Sequence, residues 1–197
     1  MKLFFEKIFL KFLRGKFFKL LIFPFLSGCY NPFKKTLLEK ETSYLIEFHH
    51  NLTHGCLVFK STAQLYTYLL FGEWHHVGVY DVVIDKIIEF TPIGYKLTHP
   101  NNFCYDATKI SIKTCNDFNK KYIRKFIIEL HKLREKNYAI SNLEKNSPSI
   151  YCSSFIYLAD KEKRIKCSTR DFLGLGFEYI TPQGIYNANN LTETERF

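Results

Sequence analysis

The sequence of 197 residues has no run of about 18 consecutive apolar residues, the length that a membrane-spanning helix needs. It also lacks any Cys-x-x-Cys pair, which excludes a zinc ribbon and a thioredoxin-like redox motif. It contains no internal repeat and has neither a disordered nor a collagen-like composition. What remains is one domain, in which 46% hydrophobic residues suffice for a sizeable core.

Aromatic residues (17%) and a formal net charge of +9 are the unusual features of the composition. Both are typical of proteins that bind nucleic acid or an anionic membrane. The charge is unevenly distributed, because residues 1–28 hold six basic residues and one acidic residue, a net charge of +5. The other 169 residues hold the remaining 22 basic and 18 acidic residues, a net charge of only +4. The nearly balanced body of the chain does not favour nucleic-acid binding.

The first 28 residues have the order of a secretory signal, in which a basic segment is followed by an apolar run and then by small residues. The sequence Leu26-Ser27-Gly28-Cys29 resembles the bacterial lipobox, and this match implies cleavage before Cys29 and lipidation of its thiol. We therefore expect a lipoprotein anchored to the membrane of the bacterial cell envelope. Two alternatives stay open for residues 1–28: a basic amphipathic helix on a membrane surface, which would make the protein peripheral, or a first core helix.

The patterns after the leader predict an α+β domain at residues 49–197, preceded by a linker and short helix at 29–48. Two short apolar runs around a turn predict an antiparallel hairpin, and a longer apolar periodicity predicts an amphipathic helix. The predicted elements are a strand at 57–59, a helix at 61–71, the hairpin strands at 76–80 and 86–90, an extended stretch at 109–113, helices at 119–137 and 151–160, and a strand edge at 179–182 with a polar tail.

Three residues have the chemistry that acyl transfer by a thiol requires: a nucleophile, a base and an acid that orients the base. His76 lies on the first hairpin strand and Glu89 on the second, where the two side chains can approach each other. Cys152 begins an apolar helix, and the positive end of a helix favours a thiolate. Each residue taken singly also has an ordinary explanation, namely a packed histidine, a surface carboxylate and an inert buried thiol.

The order of motifs resembles the circularly permuted, NlpC-type papain-like cysteine peptidases and amidases, the YiiX-like group. The resemblance covers roughly residues 50–185 and has five segments in order: Gly55-Cys56-Leu57-Val58-Phe59, Trp74-His75-His76-Val77-Gly78-Val79-Tyr80, Ile87-Ile88-Glu89-Phe90, Tyr151-Cys152-Ser153-Ser154-Phe155-Ile156-Tyr157 and Ile180-Thr181-Pro182. The sequence departs from the family pattern at Cys56, where Asp is usual, and at Ser154, where Glu is usual.

The resemblance implies a permuted papain-like fold, in which a small antiparallel sheet or half-barrel packs against the helices that carry the nucleophile. It implies Cys152 as nucleophile, His76 as base and Glu89 as the orienting acid. We expect the aromatic residues within these motifs, Trp74, Tyr80 and Tyr151, to contact the substrate. Neither a cofactor nor a metal ion is expected, since the spacing of the histidines fits no standard zinc pattern.

The leading hypothesis is a cysteine-dependent hydrolase that cleaves a cell-wall peptide or a lipid-linked amide through an acyl-thioester intermediate. One alternative is a thiol acyltransferase or lipase that acts on lipids, although its usual Asn-Cys-Glu-His motif is absent at 151–154. Another is a lipid-anchored binding module that has lost catalysis. The sequence leaves open whether Cys56, Cys104, Cys115 and Cys167 form disulfides.

Overall fold

The computed structural model describes residues 42–62, 72–139, 143, 148–171 and 178–197. The predicted leader at 1–28 and the predicted lipidation residue Cys29 lie outside these residues. No helix within the described ranges is long and apolar enough to cross a bilayer.

A central antiparallel sheet and the helices on its two faces make up the α+β fold. The strands are β1 (Leu57–Thr62), β2 (His76–Asp81), β3 (Lys86–Thr91), β4 (Gly94–Thr98), β5 (Ala107–Cys115), β6 (Asn137–Tyr138), β7 (Ser149–Ile150), β8 (Arg170–Asp171), β9 (Glu178–Tyr179) and β10 (Leu191–Arg196). The helices are α1 (Thr42–His50), α2 (Pro100–Phe103), α3 (Lys120–Lys132), α4 (Cys152–Ala159) and α5 (Pro182–Tyr186). The six strands of the main sheet follow the order β10-β5-β1-β2-β3-β4.

The alternation of side chains along the strands produces two apolar clusters, one on each face of the sheet. Val77 and Val79 of β2 belong to the larger cluster, which also contains the apolar faces of α3 and α4. Tyr80 of the same strand belongs to the smaller cluster, together with Phe48 of α1 and Phe103 of α2. The sheet is therefore covered on both faces, and α4 is held against β2 and β3.

Several predicted boundaries differ from those observed. Helix α1 continues through His50 and packs through the buried ring of Phe48, so the predicted boundary between residues 48 and 49 falls inside a helix. Residues 61 and 62, predicted as helix, end strand β1, and the rest of that prediction (63–71) lies outside the described residues. Helix α3 ends at Lys132 instead of 137 because Leu133 caps it and a turn follows.

The predicted polar tail is in fact strand β10, which pairs with β5 at the edge of the sheet. An edge strand has one neighbour and keeps most side chains in solvent, so polar residues are tolerated there. Leu191 is the buried residue of β10, and the other five side chains are exposed or partly exposed. The mostly polar sequence of β10 therefore resembles that of an unstructured polar tail.

Candidate active site

The hairpin of β2 and β3 brings His76 and Glu89 together. The two strands pair in a register that places Gly78 opposite Glu89, so His76 lies diagonally across the ladder on the same face. The Nε2 atom of His76 lies 2.7 Å from the Oε2 atom of Glu89. Both side chains are largely removed from solvent, with 14% of His76 and 4% of Glu89 exposed. The contact between the predicted base and the predicted acid is thus a buried, short hydrogen bond.

Cys152 is the buried first residue of helix α4, and its thiol is one of the groups that raise the pKa of His76. The hydroxyl of Ser154 accepts a hydrogen bond from the backbone N–H of Tyr151 at 2.8 Å, which fixes the start of the helix. The structure therefore joins imidazole and carboxylate directly, and the thiol at the start of α4 acts on the same imidazole.

The electrostatics of this line favour a protonated imidazole. Burial alone would lower the pKa of His76, but the hydrogen bonds and negative charges of Cys152 and Glu89 outweigh it and raise the pKa to about 9. Burial alone would raise the pKa of Glu89, but the hydrogen bond and charge of His76, aided by Lys60 and Thr98, lower it to about 2. Near neutral pH the carboxylate is ionised and the imidazole carries its proton.

Two residues that sequence reasoning missed also act on Glu89. The hydroxyl of Thr98, at the end of β4, donates a hydrogen bond to Oε1 of Glu89. Lys60 of β1 pairs with His76 across the ladder, and its positive charge helps to lower the pKa of Glu89. The register of β4 against β3 would have revealed Thr98, but the sequence analysis did not predict β4.

The aromatic residues expected to contact substrate are packing residues in the structure. Trp74 is fully buried and stacks on Tyr186, with ring centroids 4.9 Å apart. Tyr80 is buried in the smaller apolar cluster, and its hydroxyl donates a hydrogen bond to Asp85. The Tyr151 ring is buried as well, and its hydroxyl accepts a hydrogen bond from the backbone N–H of Ile180 at 2.9 Å. The three rings are thus buried in packing contacts, and their contact with substrate stays a prediction.

The five described cysteines are all free thiols, so no disulfide joins Cys56, Cys104, Cys115 or Cys167. Burial raises the pKa of Cys56 and of Cys104 to about 12, and that of Cys167 to about 11. These thiols are therefore protonated at neutral pH. No histidine is among the groups that shift their pKa values, whereas Cys152 interacts with His76.

A cavity of about 520 Å³ lies between the turn that joins β3 to β4 and the segment that follows α3. Its lining comprises residues 92–95 and 134–138, among them Arg134 and Lys136. Tyr138 lies at the wall of this cavity and stacks on Phe90, with ring centroids 6.1 Å apart. Burial raises the pKa of Tyr138, and the negative charge of Cys152 raises it further. Cys152 and His76 are not among the residues that line this cavity.

The part of the chain that the structure describes contains no group of three or more His, Cys, Asp or Glu side chains arranged to hold a metal ion. His49 binds Asp85 at 3.0 Å, whereas Nδ1 of His75 accepts a hydrogen bond from the backbone N–H of Thr62.

Comparisons with known proteins bear on the fold and the family of this chain. One solved structure, described as the metalloprotein yiiX from Escherichia coli O157:H7, is similar to this chain with a TM-score of 0.64 and 14% identity. The alignment covers 75% of this chain and 98% of that one, and at this identity it shows the fold. A search among curated proteins found no match.

A family model for the permuted papain-like amidase enzymes YaeF and YiiX, the C92 family, matches residues 51–193. These residues include the hairpin of His76 and Glu89 as well as the helix of Cys152, and they are well over half of the chain. The chain therefore belongs to the C92 family of permuted papain-like amidases.

Proposed function

We propose that this protein is a cysteine-dependent hydrolase that cleaves an amide bond, with Cys152 as nucleophile, His76 as acid and base, and Glu89 as the residue that orients the imidazole. The observation that carries the proposal is the 2.7 Å contact between His76 and Glu89, on an imidazole whose pKa the Cys152 thiol also raises. The alternative of a binding module predicts that thiol and imidazole lie out of reach of each other, and the effect of Cys152 on the pKa of His76 argues against it.

The chemistry begins with a protonated imidazole on His76, beside the sulfur of Cys152. The Cys152 sulfur attacks the carbonyl carbon of the amide, and the backbone N–H of Cys152 at the start of α4 stabilises the resulting oxyanion. The imidazolium of His76 gives its proton to the amide nitrogen, the C–N bond breaks, and the amine leaves. Glu89 holds the ring in place and stabilises its positive charge.

The acyl group then remains on Cys152 as a thioester. The neutral imidazole of His76 removes a proton from water, and the hydroxide attacks the thioester carbonyl. The C–S bond breaks, the product leaves as a carboxylic acid, and the thiolate–imidazolium pair is restored. No step of this proposed sequence requires a metal ion.

The substrate proposed for this site is a cell-wall peptide or a lipid-linked amide. Support comes from the amidase family and from the lipobox-like sequence that ends at Cys29, which would anchor the enzyme at the membrane of the cell envelope. The cavity beside Tyr138 has a volume in the usual range for small-molecule sites, and we propose that part of the substrate lies there.

The test is hydrolysis of two probe sets by the full chain: peptidoglycan fragments and N-acyl amides. We expect Cys152→Ala to lose turnover, while Cys167→Ala, which removes a partly exposed thiol, keeps it. Equal turnover by Cys152→Ala and the unaltered protein would remove Cys152 from the mechanism. If fatty acid is released from phospholipid vesicles and neither amide set is cleaved, the lipid-directed alternative replaces this proposal.

The anchor has a separate test in a bacterial host fed with an alkyne-tagged fatty acid. We expect the tag on the unaltered chain and on Cys152→Ala, but not on Cys29→Ser. A tag that persists in Cys29→Ser would contradict lipidation at this residue without bearing on the hydrolase chemistry.

A further inference from the structure

Thr98 shares the carboxylate of Glu89 with His76. Its hydroxyl donates to Oε1 of Glu89, while Nε2 of His76 contacts Oε2 at 2.7 Å. Thr98 pairs with Ile87 in the ladder between β4 and β3, so it lies diagonally from Glu89 on the same face of the sheet. The Thr98 side chain is buried, and each carboxylate oxygen of Glu89 therefore has its own donor.

We propose that Thr98 is a positioning residue that fixes the rotation of the Glu89 carboxylate and thereby keeps the imidazole of His76 protonated and correctly oriented. The terminal torsion of a glutamate is soft, so a carboxylate with one partner can turn away from it. A hydroxyl on the second oxygen removes this freedom, and a hydrogen bond to an ionised group is stronger than one between neutral groups. The positioning of His76 by Glu89 and Thr98 does not depend on the proposed hydrolase function; only the use of His76 in catalysis does.

The other charged groups around the pair do not replace Thr98. Lys60 acts on Glu89 only through its charge, because its Nζ atom binds Asp106 at 2.8 Å and the carbonyl oxygen of Phe103 at 3.4 Å. From α4, the Cys152 thiol acts on the imidazole of His76 and not on the Glu89 carboxylate. The ring of Phe103, with its centroid 5.8 Å from that of His76, is uncharged. The Thr98 hydroxyl is thus the donor that complements His76 on the Glu89 carboxylate.

The experiment measures the titration of His76 directly, by the ring-carbon NMR signal of the full chain labelled at histidine and assigned through its loss in His76→Gln. In the unaltered protein the signal should titrate near pH 9. In Thr98→Val, which keeps the shape and loses the hydroxyl, we expect a fall of about one pH unit, the size of effect that follows loss of a hydrogen bond to a charged group. Thr98→Ser keeps the hydroxyl and should titrate like the unaltered protein.

A Thr98→Val protein that is folded by circular dichroism and still titrates like the unaltered chain would overturn the proposal. If Thr98→Val does not fold, Thr98→Ser decides the question alone. An unchanged titration in that variant supports the role of the hydroxyl, and a fall shows that the methyl group acts through packing. The titration of His76 is measured without substrate, so a failure to find amide hydrolysis does not affect this test. If the Thr98→Val enzyme is active and the pKa of His76 is unchanged, the positioning role of Thr98 is rejected and the proposed hydrolase function stands.

Discussion

The hydroxyl of Ser153 donates a hydrogen bond to the carbonyl oxygen of Ile180 at 2.9 Å. The hydroxyl of Tyr151 accepts one from the N–H of the same residue. The two neighbours of Cys152 therefore satisfy both backbone groups of Ile180. This ties the start of α4 to Ile180, which lies 27 residues after Ser153 and directly before Thr181-Pro182. This link explains why two motifs far apart in the sequence belong to one site.

Removing one of these links should destabilise the protein. Ser153→Ala leaves the buried carbonyl of Ile180 without that donor, and we expect the free energy of unfolding to fall by about 1–3 kcal/mol in urea denaturation. The matched control is Thr192→Ala, which removes an exposed hydrogen bond from Thr192 to Asn116 and should change this free energy by less than about 0.5 kcal/mol. If both substitutions lower the free energy of unfolding equally, the buried hydrogen bond to Ile180 stabilises the protein no more than an exposed one.

Glu89→Gln should move the alkaline limit of activity to lower pH. The neutral amide removes the negative charge that, together with Cys152, raises the pKa of His76 to about 9. We expect that pKa to fall toward its ordinary value, so the alkaline limb of kcat/KM shifts with it. The control is Glu129→Gln, since that carboxylate binds Lys132 on the surface of α3. If both variants keep the same alkaline limb, Glu89 does not set the pKa of His76.

Stability should depend on pH on both sides of neutrality. The pKa of Glu89 is lowered from 4.5 to about 2, so its stabilisation is present above pH 4.5 and is lost as the pH falls toward 2. The pKa of His76 is raised from 6.5 to about 9, so its stabilisation is present below pH 6.5 and is lost as the pH rises toward 9. Urea denaturation across pH should show both losses, and Glu89→Gln should show a smaller acid loss. If the unaltered protein and Glu89→Gln lose stability equally as the pH falls toward 2, Glu89 is not the source of the acid loss.

Gly78→Ala should disturb the hairpin that carries His76 and Glu89. A Cβ atom at Gly78 would lie 2.5 Å from Cγ2 of Ile87 and 3.1 Å from the carbonyl oxygen of Ile88. We expect a loss of about 1–3 kcal/mol in the free energy of unfolding, as for other overpacked cores. In an Ile87→Ala background the clashing methyl group is absent, so Gly78→Ala should cost less there. If Gly78→Ala lowers the free energy of unfolding equally in both backgrounds, the clash with Ile87 is not the cause of the loss.

Much of the fold could be predicted from local patterns. The alternation in β2 and β3 predicted the hairpin, and the apolar periodicity predicted α3, because a half-buried strand and an amphipathic helix each have a period visible in the sequence. Strand β10 was missed because its edge position leaves it mostly polar, and its pairing with β5 depends on residues about 80 positions away. The burial of Trp74 and Tyr80 could not be predicted, because an aromatic ring in a core and one in a binding site have the same local signature.

The sequence by itself determined the motif order that identifies the family, the hairpin with His76 and Glu89, and a cysteine at the start of an apolar helix. Only the tertiary structure decided that these three residues meet, that Thr98 and Lys60 act on the carboxylate, and that the remaining described cysteines stay apart. The physical reason is that periodicity depends on neighbours in the chain, whereas a pKa and a hydrogen bond depend on distances between elements that the packed sheet and helices alone set.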